Sequence, residues 1–432
     1  MDECRVLALI GSGETSPTMV TVHRDLVSRL GSRRPRAIVL ATPYAFQVNA
    51  ADVSASARKY FAASVDLDVT IVAATSPAAD PGMAAPMVTA TDDETREAAA
   101  IRAADWVFAG PGSPSYALAH WQARPIAAAL RDRIFAPRGI TVLASAAAAT
   151  AGQLTFPVYE IYKAGAAPRW LPALNLLGPV GLNLAVIPHY DNHEARYDTR
   201  YCYLGAHRLT TLESQLPERT TIIGIDEHTA LLLDLASNEA EVVGRGQVTL
   251  RRSGTEYPLP AGTTLTMNEL RALVHGTPTT SAGARAGECV GRRSVPPDDA
   301  GTGPSTPLPV LMKRAAAEQN PADLAERILD LEDAIKAWET DTEEDQGTEQ
   351  ARLLLRALIT RLGRAAQAAH ADPVERLRPV IEPLITLRST LRDQGQYAVA
   401  DALRDVLVNA GVDVRDTPGG TRCLAADGDA RS

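Results

Sequence analysis

The chain has 432 residues, 45% hydrophobic and 22% charged, with 43 basic against 52 acidic side chains and a net charge of −9. That length predicts two or three domains with ample core. The composition excludes a wholly disordered chain, and the charge excludes a globally basic nucleic-acid binder, though not a local basic face. The four cysteines (Cys4, Cys202, Cys289 and Cys423) are too far apart for a zinc knuckle or a disulfide framework.

The N-terminus, MDECRVLALIGSGE, carries acid and reaches a strand at once, unlike a signal peptide. No run of about 18 apolar residues exists to span a bilayer, so a soluble, cytoplasmic protein without membrane partners is expected. Strands are predicted at 6–11, 37–42, 69–74, 106–110 and 140–144, separated by Ala/Arg/Leu-rich stretches of helix length. That alternation implies right-handed crossovers and a mostly parallel sheet covered on both faces. The loop GSGETS at 11–16 has Ser16 where a dinucleotide fingerprint wants a third glycine, and no ribose-binding acid follows the second strand. It reads as a tight turn with Thr15 or Ser16 capping the next helix, and no cofactor is expected. The fourth strand runs into AGPGSPSYAL at 109–118, where Gly110 and Gly112 permit a tight turn that presents amide hydrogens to a neighbouring strand end. The fifth runs into VLASAAAATAG at 142–152, an apolar strand followed by Ser145, four alanines and a helix-compatible run. This is the layout of a nucleophile elbow, where small neighbours relieve crowding at a strained serine. The amides of Ala146 and Gly112 would then form an oxyanion hole.

Next, FPVYEIYKAG at 156–165 holds Glu160 and Lys163. A second strand group (182–188, 221–225, 230–235, 241–244 and 247–250) is more closely spaced and reads as hairpins appended to the sheet. At the end of its first member, IPHYDNHEARYDTRY at 187–201 gathers His189, Asp191, His193, Glu194 and Arg196, in a chain with only 8 histidines. A serine and a histidine at two strand ends, with a carboxylate nearby, is the nucleophile–base–orienter arrangement, Glu160 or Asp191 being the orienter. The rival is zinc on His189, Asp191 and His193. That reading leaves Ser145 without a role, and no metal is expected.

The order GSGE, GPGSP, ASAAA, PHYDNH…R and IGIDEHTAL (222–231) resembles the cyanophycinase and aspartyl dipeptidase (dipeptidase E) family of serine peptidases over about residues 5–250. The resemblance implies an α/β fold, the three-layer, mostly parallel sheet of the class I glutamine amidotransferases. It places the family's G-x-S-A-G-A nucleophile on Ser145, with Leu143 or Ala144 and Ala147 in place of the glycines. The family histidine falls on His189, and an acid some fifteen residues after the serine falls on Glu160. The implied reaction is hydrolysis of a small peptide, isopeptide or amide of an acidic residue, whose carboxylate would meet Lys163 or Arg196. The alanines around Ser145 favour an alternative, a catalytically inactive amidotransferase-like binding protein.

Periodicity stops over 276–319, a Gly/Pro/Ser/Thr-rich stretch that reads as a flexible linker, which bounds a first domain at 1–275 and a helical one at 320–425. Within the latter, 321–349 holds 2 basic and 11 acidic side chains, and 350–395 holds 8 arginines and 4 acids. These blocks complement each other within a bundle, or the arginines form a face for RNA phosphates. VDVRDTPGGTRCL at 412–424 predicts a hairpin turning at Pro418-Gly419-Gly420. The segment 382–422 resembles the C-terminal, anticodon-binding end of cysteinyl-tRNA synthetases in Arg388, Arg392, Ala400, Asp401, Arg404, Asp405, Leu407, Gly411, Asp416, Thr417, Gly420, Thr421 and Arg422. Cys423 stands where those enzymes usually carry tryptophan, and no HIGH-like or KMSKS-like signature exists, so the chain is not itself such a synthetase. The resemblance implies tRNA as a partner through Arg388, Arg392 and Arg404. The same domain also suits dimerisation or docking, which leaves room for a homo-oligomer.

Overall fold

The first five apolar runs become β1 (Arg5–Ile10), β2 (Ala37–Leu40), β3 (Val69–Val72), β4 (Trp106–Ala109) and β5 (Gly139–Ala144), parallel in the order β1-β5-β4-β2-β3. This is a computed structural model, and it describes residues 4–32, 34–72, 92–193, 198–276, 285–286, 308–338, 347–369, 373–417 and 420–425. The inner strands β1, β5, β4 and β2 are largely apolar on both faces because both faces are covered, whereas the edge strand β3 exposes Thr70. Val6, Ala8 and Ile10 pack with Leu26, Phe61 and Phe108 on one side, while Leu7 and Leu9 pack with Trp121 and Leu130 on the other.

Ten further strands follow: β6 (Leu154–Thr155), β7 (Leu171–Pro172), β8 (Leu184–Ile187), β9 (Thr221–Ile225), β10 (Thr229–Asp234), β11 (Glu239–Gly244), β12 (Gln247–Arg252), β13 (Thr255–Pro260), β14 (Thr263–Thr266) and β15 (Arg285–Ala286). β10 lies antiparallel to β1 and extends the first sheet through β11, β14 and β15 to nine strands. A second sheet has the order β13-β12-β9-β8-β6-β7. The second strand group therefore divides between two sheets instead of forming hairpins on one. β10–β11 and β12–β13 are hairpins, but β8 and β9 are parallel. The helix Gly205–Ser214 crosses between β8 and β9 and buries Leu209 and Leu212 against Ile187 and Ile222. The parallel pairing puts the carboxyl ends of β8 and β9 side by side.

The chain divides into two units, Met1–Leu311 with Glu332–Ala351, and Met312–Leu331 with Arg352–Ser432. Residues 332–351, expected in the helical domain, thus belong to the first unit, with Ala334, Ile335 and Trp338 buried. Of the expected linker, 277–284 and 287–307 lie outside the described residues, whereas LPVLMKRAAA forms the helix Leu308–Ala317. The second unit contains the helices Pro373–Asp393 and Tyr397–Asn409 and a two-stranded hairpin, Val412–Thr417 with Gly420–Ala425. The expected turn residues Pro418 and Gly419 lie outside the described residues. Ile381, Leu407, Val412 and Val414 form one buried apolar cluster in it, and Leu324, Ile328, Leu331 and Leu358 of the same unit are also buried. Among the described residues no helix is long and apolar enough to cross a membrane.

Candidate active site

At the carboxyl end of β5 the backbone reverses within one residue. Ala144 is extended (φ −123°, ψ 151°), Ser145 is left-handed (φ 46°), and a short helix, Ser145–Ala149, begins there. A left-handed non-glycine residue costs about 1–2 kcal/mol and persists only where the surroundings impose it. Here every helix residue is small and buried, and the Ala147 amide donates to Gly110 O (3.3 Å), tying the β5 turn to the β4 turn. Gly112 has φ 134°, and a Cβ there would lie 2.0 Å from Pro43 O, so only glycine fits this turn. The Ser113 amide donates to the same Pro43 O (2.8 Å), which fixes the loop beside the serine.

His189 lies just past β8 and is also left-handed (φ 46°). Ser145 Oγ donates to His189 Nε2 at 2.9 Å, and His189 Nδ1–H donates to Glu227 Oε1 at 2.9 Å. The carboxylate only accepts, which assigns the proton to Nδ1 and leaves Nε2 free to accept from the serine. Glu227 follows β9 in the sequence IGIDEH, and its amide donates to Asp191 Oδ1 (2.7 Å). Burial pushes the Glu227 carboxyl up, but the His189 bond and charge outweigh it and hold Glu227 below its ordinary value, ionised beside the imidazole. Partial burial pushes Asp191 up, with Glu227's amide opposing and its charge reinforcing the rise. Asp226 is pushed up to about 7 by burial and then by the nearby Asp191 carboxylate.

The GSGETS loop packs against this same segment. Gly11 N–H donates to Thr229 O (2.9 Å), and a Cβ on Gly11 would lie 2.1 Å from Asp226 O. Gly13 (φ 65°) sits against the His228 ring, and the His228 amide donates to Ser12 O (3.1 Å). The loop is thus a close-packed wall behind Asp226–His228. Ser16 occupies the helix N-cap position, as expected, but its hydroxyl donates back to Gly13 O (2.6 Å) and makes no cap bond.

The structure brings Ser145 and His189 together and gives the third position to neither expected carboxylate. Glu160 sits on the short helix Val158–Tyr162, whose packing turns it toward Ser115, from which Oε1 accepts a hydrogen bond (2.7 Å). Asp191 holds the Glu227 main chain and not the imidazole. Glu227 is not marked as a partner of His189 by sequence proximity, because it lies 38 residues beyond it and arrives through the β8–β9 pairing. The one signal for it was an acid at a third strand end, inside IGIDEHTAL. Ala146 directly follows the serine, and Gly112 lies in the adjoining turn. Lys163 is exposed, its Nζ 5.0 Å from the Tyr159 ring centre, and Arg196 lies outside the described residues. Among the described residues no three His, Cys, Asp or Glu side chains are grouped to hold a metal ion. In the second unit Arg388 is buried and bidentate on Asp416 (2.8 and 2.9 Å), and Arg392 reaches the same carboxylate (3.0 Å), whereas Arg404 is exposed. Arg388 and Arg392 thus share one acid of the hairpin, Arg388 from a buried position and Arg392 with its side chain still partly exposed.

No family model matches the chain, and no curated protein matches it. Among solved structures, the chain is similar to a peptidase from an acI-B1 Actinobacterium, with 18% identity and a TM-score of 0.46, over 61% of this chain and 97% of that one. It is also similar to a peptidase E candidate from Listeria monocytogenes EGD-e, with 15% identity and a TM-score of 0.35, over 58% of this chain and 98% of that one.

Proposed function

We propose that the chain is a serine hydrolase of the peptidase type acting on a small peptide, isopeptide or amide. The observation that carries this reading is the continuous relay from Ser145 Oγ through His189 to Glu227, with both links at 2.9 Å. Ser145 attacks the carbonyl carbon while His189 Nε2 takes its proton. Glu227 stabilises the imidazolium that results and remains ionised. The oxyanion of the tetrahedral intermediate faces the amides of Ala146 and Gly112. The imidazolium then protonates the leaving amine, and water repeats the sequence to free the acid. Three strand ends of two sheets supply the three groups. A carboxylate on the substrate, as the family resemblance implies, would meet Lys163 or Arg196.

A fluorophosphonate probe tests the reading. The wild-type chain is expected to be labelled, and Ser145→Ala is not. Glu227→Gln is expected to slow labelling by about 10³–10⁴-fold, because the amide favours the wrong tautomer, while Glu160→Gln stays within a few fold. Labelling that is absent in the wild type, or insensitive to Ser145→Ala, refutes the proposal.

A further inference from the structure

Tyr201, Cys202 and Tyr203 are three consecutive non-glycine residues with left-handed backbones, at φ 62°, 55° and 62°. L residues visit this region singly, so a run of three is held there by its surroundings. Successive residues in such a turn aim their amide hydrogens to one side. Here two of those amides reach the segment that carries the proposed base, while the third, Tyr203 N–H, donates to Thr199 O (2.9 Å). Cys202 N–H donates to His189 O and Tyr201 N–H to Tyr190 O, both at 3.0 Å. Tyr190 N–H in turn donates to Ile225 O (3.1 Å) at the end of β9. The segment His189–Tyr190 is therefore clamped between β9 and the left-handed turn. The Cys202 side chain is buried with Phe156, Ile187 and Tyr190, which anchors the middle of the run. Its last residue places a ring beside the base. Tyr203 lies 6.2 Å from the His189 imidazole, centre to centre, and also packs on the Tyr162 ring at 4.9 Å, inclined by 32°.

We propose that the Tyr201–Tyr203 turn is a positioning element for His189. Its amides fix the main chain of the base, and Tyr203, backed by Tyr162, restrains the imidazole plane and shields the His189–Glu227 hydrogen bond from water. This rests on the hydrolase reading of Ser145 for its consequence in rate, but the restraint on the ring is measurable without turnover. A ring pair that only filled space would affect stability and leave the relay unchanged.

The full-length chain and its Tyr203→Phe, Tyr203→Leu and Tyr162→Leu variants provide the test, with two readouts. One is fluorophosphonate labelling resolved into the maximal rate and the probe's half-saturation concentration. The other is the far-downfield proton resonance of His189 Nδ1–H, assigned by its loss in His189→Gln. Tyr203→Leu is expected to lower the maximal rate by roughly 10–100-fold with half-saturation unchanged, and Tyr203→Phe to stay within about twofold. The resonance should vanish into water exchange in Tyr203→Leu and persist in Tyr203→Phe. Tyr162→Leu should weaken both readouts in the same direction, and it decides the matter if Tyr203→Leu fails to fold. A resonance and rate unchanged in the leucine variants, or rate losses that follow melting temperature across all three, overturn the proposal. If the wild type is not labelled at all, the hydrolase reading fails. The resonance still decides the positioning role, which stands if Tyr203→Leu loses it and falls if it is kept.

Discussion

Asp226 sits immediately before Glu227, yet the two acids are displaced in opposite directions. Glu227 accepts a hydrogen bond from the His189 ring, whereas Asp226 has only main-chain hydrogen bonding, with Oδ2 accepting from Gln247 N–H (2.9 Å). Burial, with Asp191 nearby, raises Asp226 from 3.8 to about 7. The folded state therefore holds this proton more tightly than the unfolded chain does. Below about pH 4 both states are protonated and the residue costs nothing. Stability is then lost as pH rises from about 4 to about 7, and the deficit persists above that. Asp226→Asn keeps an acceptor for Gln247 and removes the charge. It is expected to stabilise the protein by roughly 2–4 kcal/mol at pH 8 and by almost nothing at pH 4. Denaturant titrations at the two pH values check this, and an equal gain at both would refute it. At this scale the sequence was informative where chemistry is local. Ser145 among alanines and His189 at a strand end are each recognisable from their immediate neighbours. Glu227 is not, because nothing within ten residues of it marks its partner.

Among the elements, β1 to β5 were legible because strands covered on both faces are largely apolar and helices separate them. The pairing of β8 with β9 was not, since closely spaced apolar runs look alike whether they form a hairpin or flank a crossover. That single pairing is what carries Glu227 to His189. The helix Pro373–Asp393 and the terminal hairpin present a similar case. Their arginines and acids look like surface charge in one dimension, but Arg388 is only 1% exposed and spans to Asp416. A proposal that this unit binds RNA accordingly rests on exposed residues such as Arg404, and a defect in Arg388 variants would report folding. Removing one partner from a buried pair is costly because the other charge stays desolvated, whereas removing both is often tolerated. Asp416 is partly exposed, which moderates the effect. Asp416→Ala is expected to destabilise the second unit by about 2–4 kcal/mol, and the Arg388→Met/Asp416→Ala double variant to recover most of that. Urea unfolding followed by circular dichroism separates the two. A double variant no better than the single would show that the loss is not an unpaired charge.

Across the whole molecule, the net charge of −9 is an average over unlike parts, with an acidic run at 321–349 beside an arginine-rich one at 350–395. The chain divides into two units, and the grouping of 332–351 with the first is not legible in the sequence. Ala334, Ile335 and Trp338 announce a buried helix face without saying which core receives it. The two cores differ greatly in size. The first unit packs apolar side chains on both faces of a nine-stranded sheet, including fully buried Trp106 and Trp121. The second buries fewer, among them Leu324, Leu331, Leu358, Ile381, Leu407, Val412 and Val414, and leaves Leu377, Val380, Leu387 and Val406 exposed. Separate cores of unequal size violate two-state unfolding. Calorimetry is therefore expected to give two transitions, the lower one from the second unit. Asp416→Ala should lower that transition alone, by about 4–8 °C for each kcal/mol in a unit of this size. Asp226→Asn should raise only the upper one at pH 8. Ser145 should remain reactive toward the fluorophosphonate between the two, because Ser145, His189 and Glu227 all lie in the first unit. A single transition moved by both substitutions, with labelling lost at its onset, would show that the small core and the sheets that carry Ser145 and His189 melt as one.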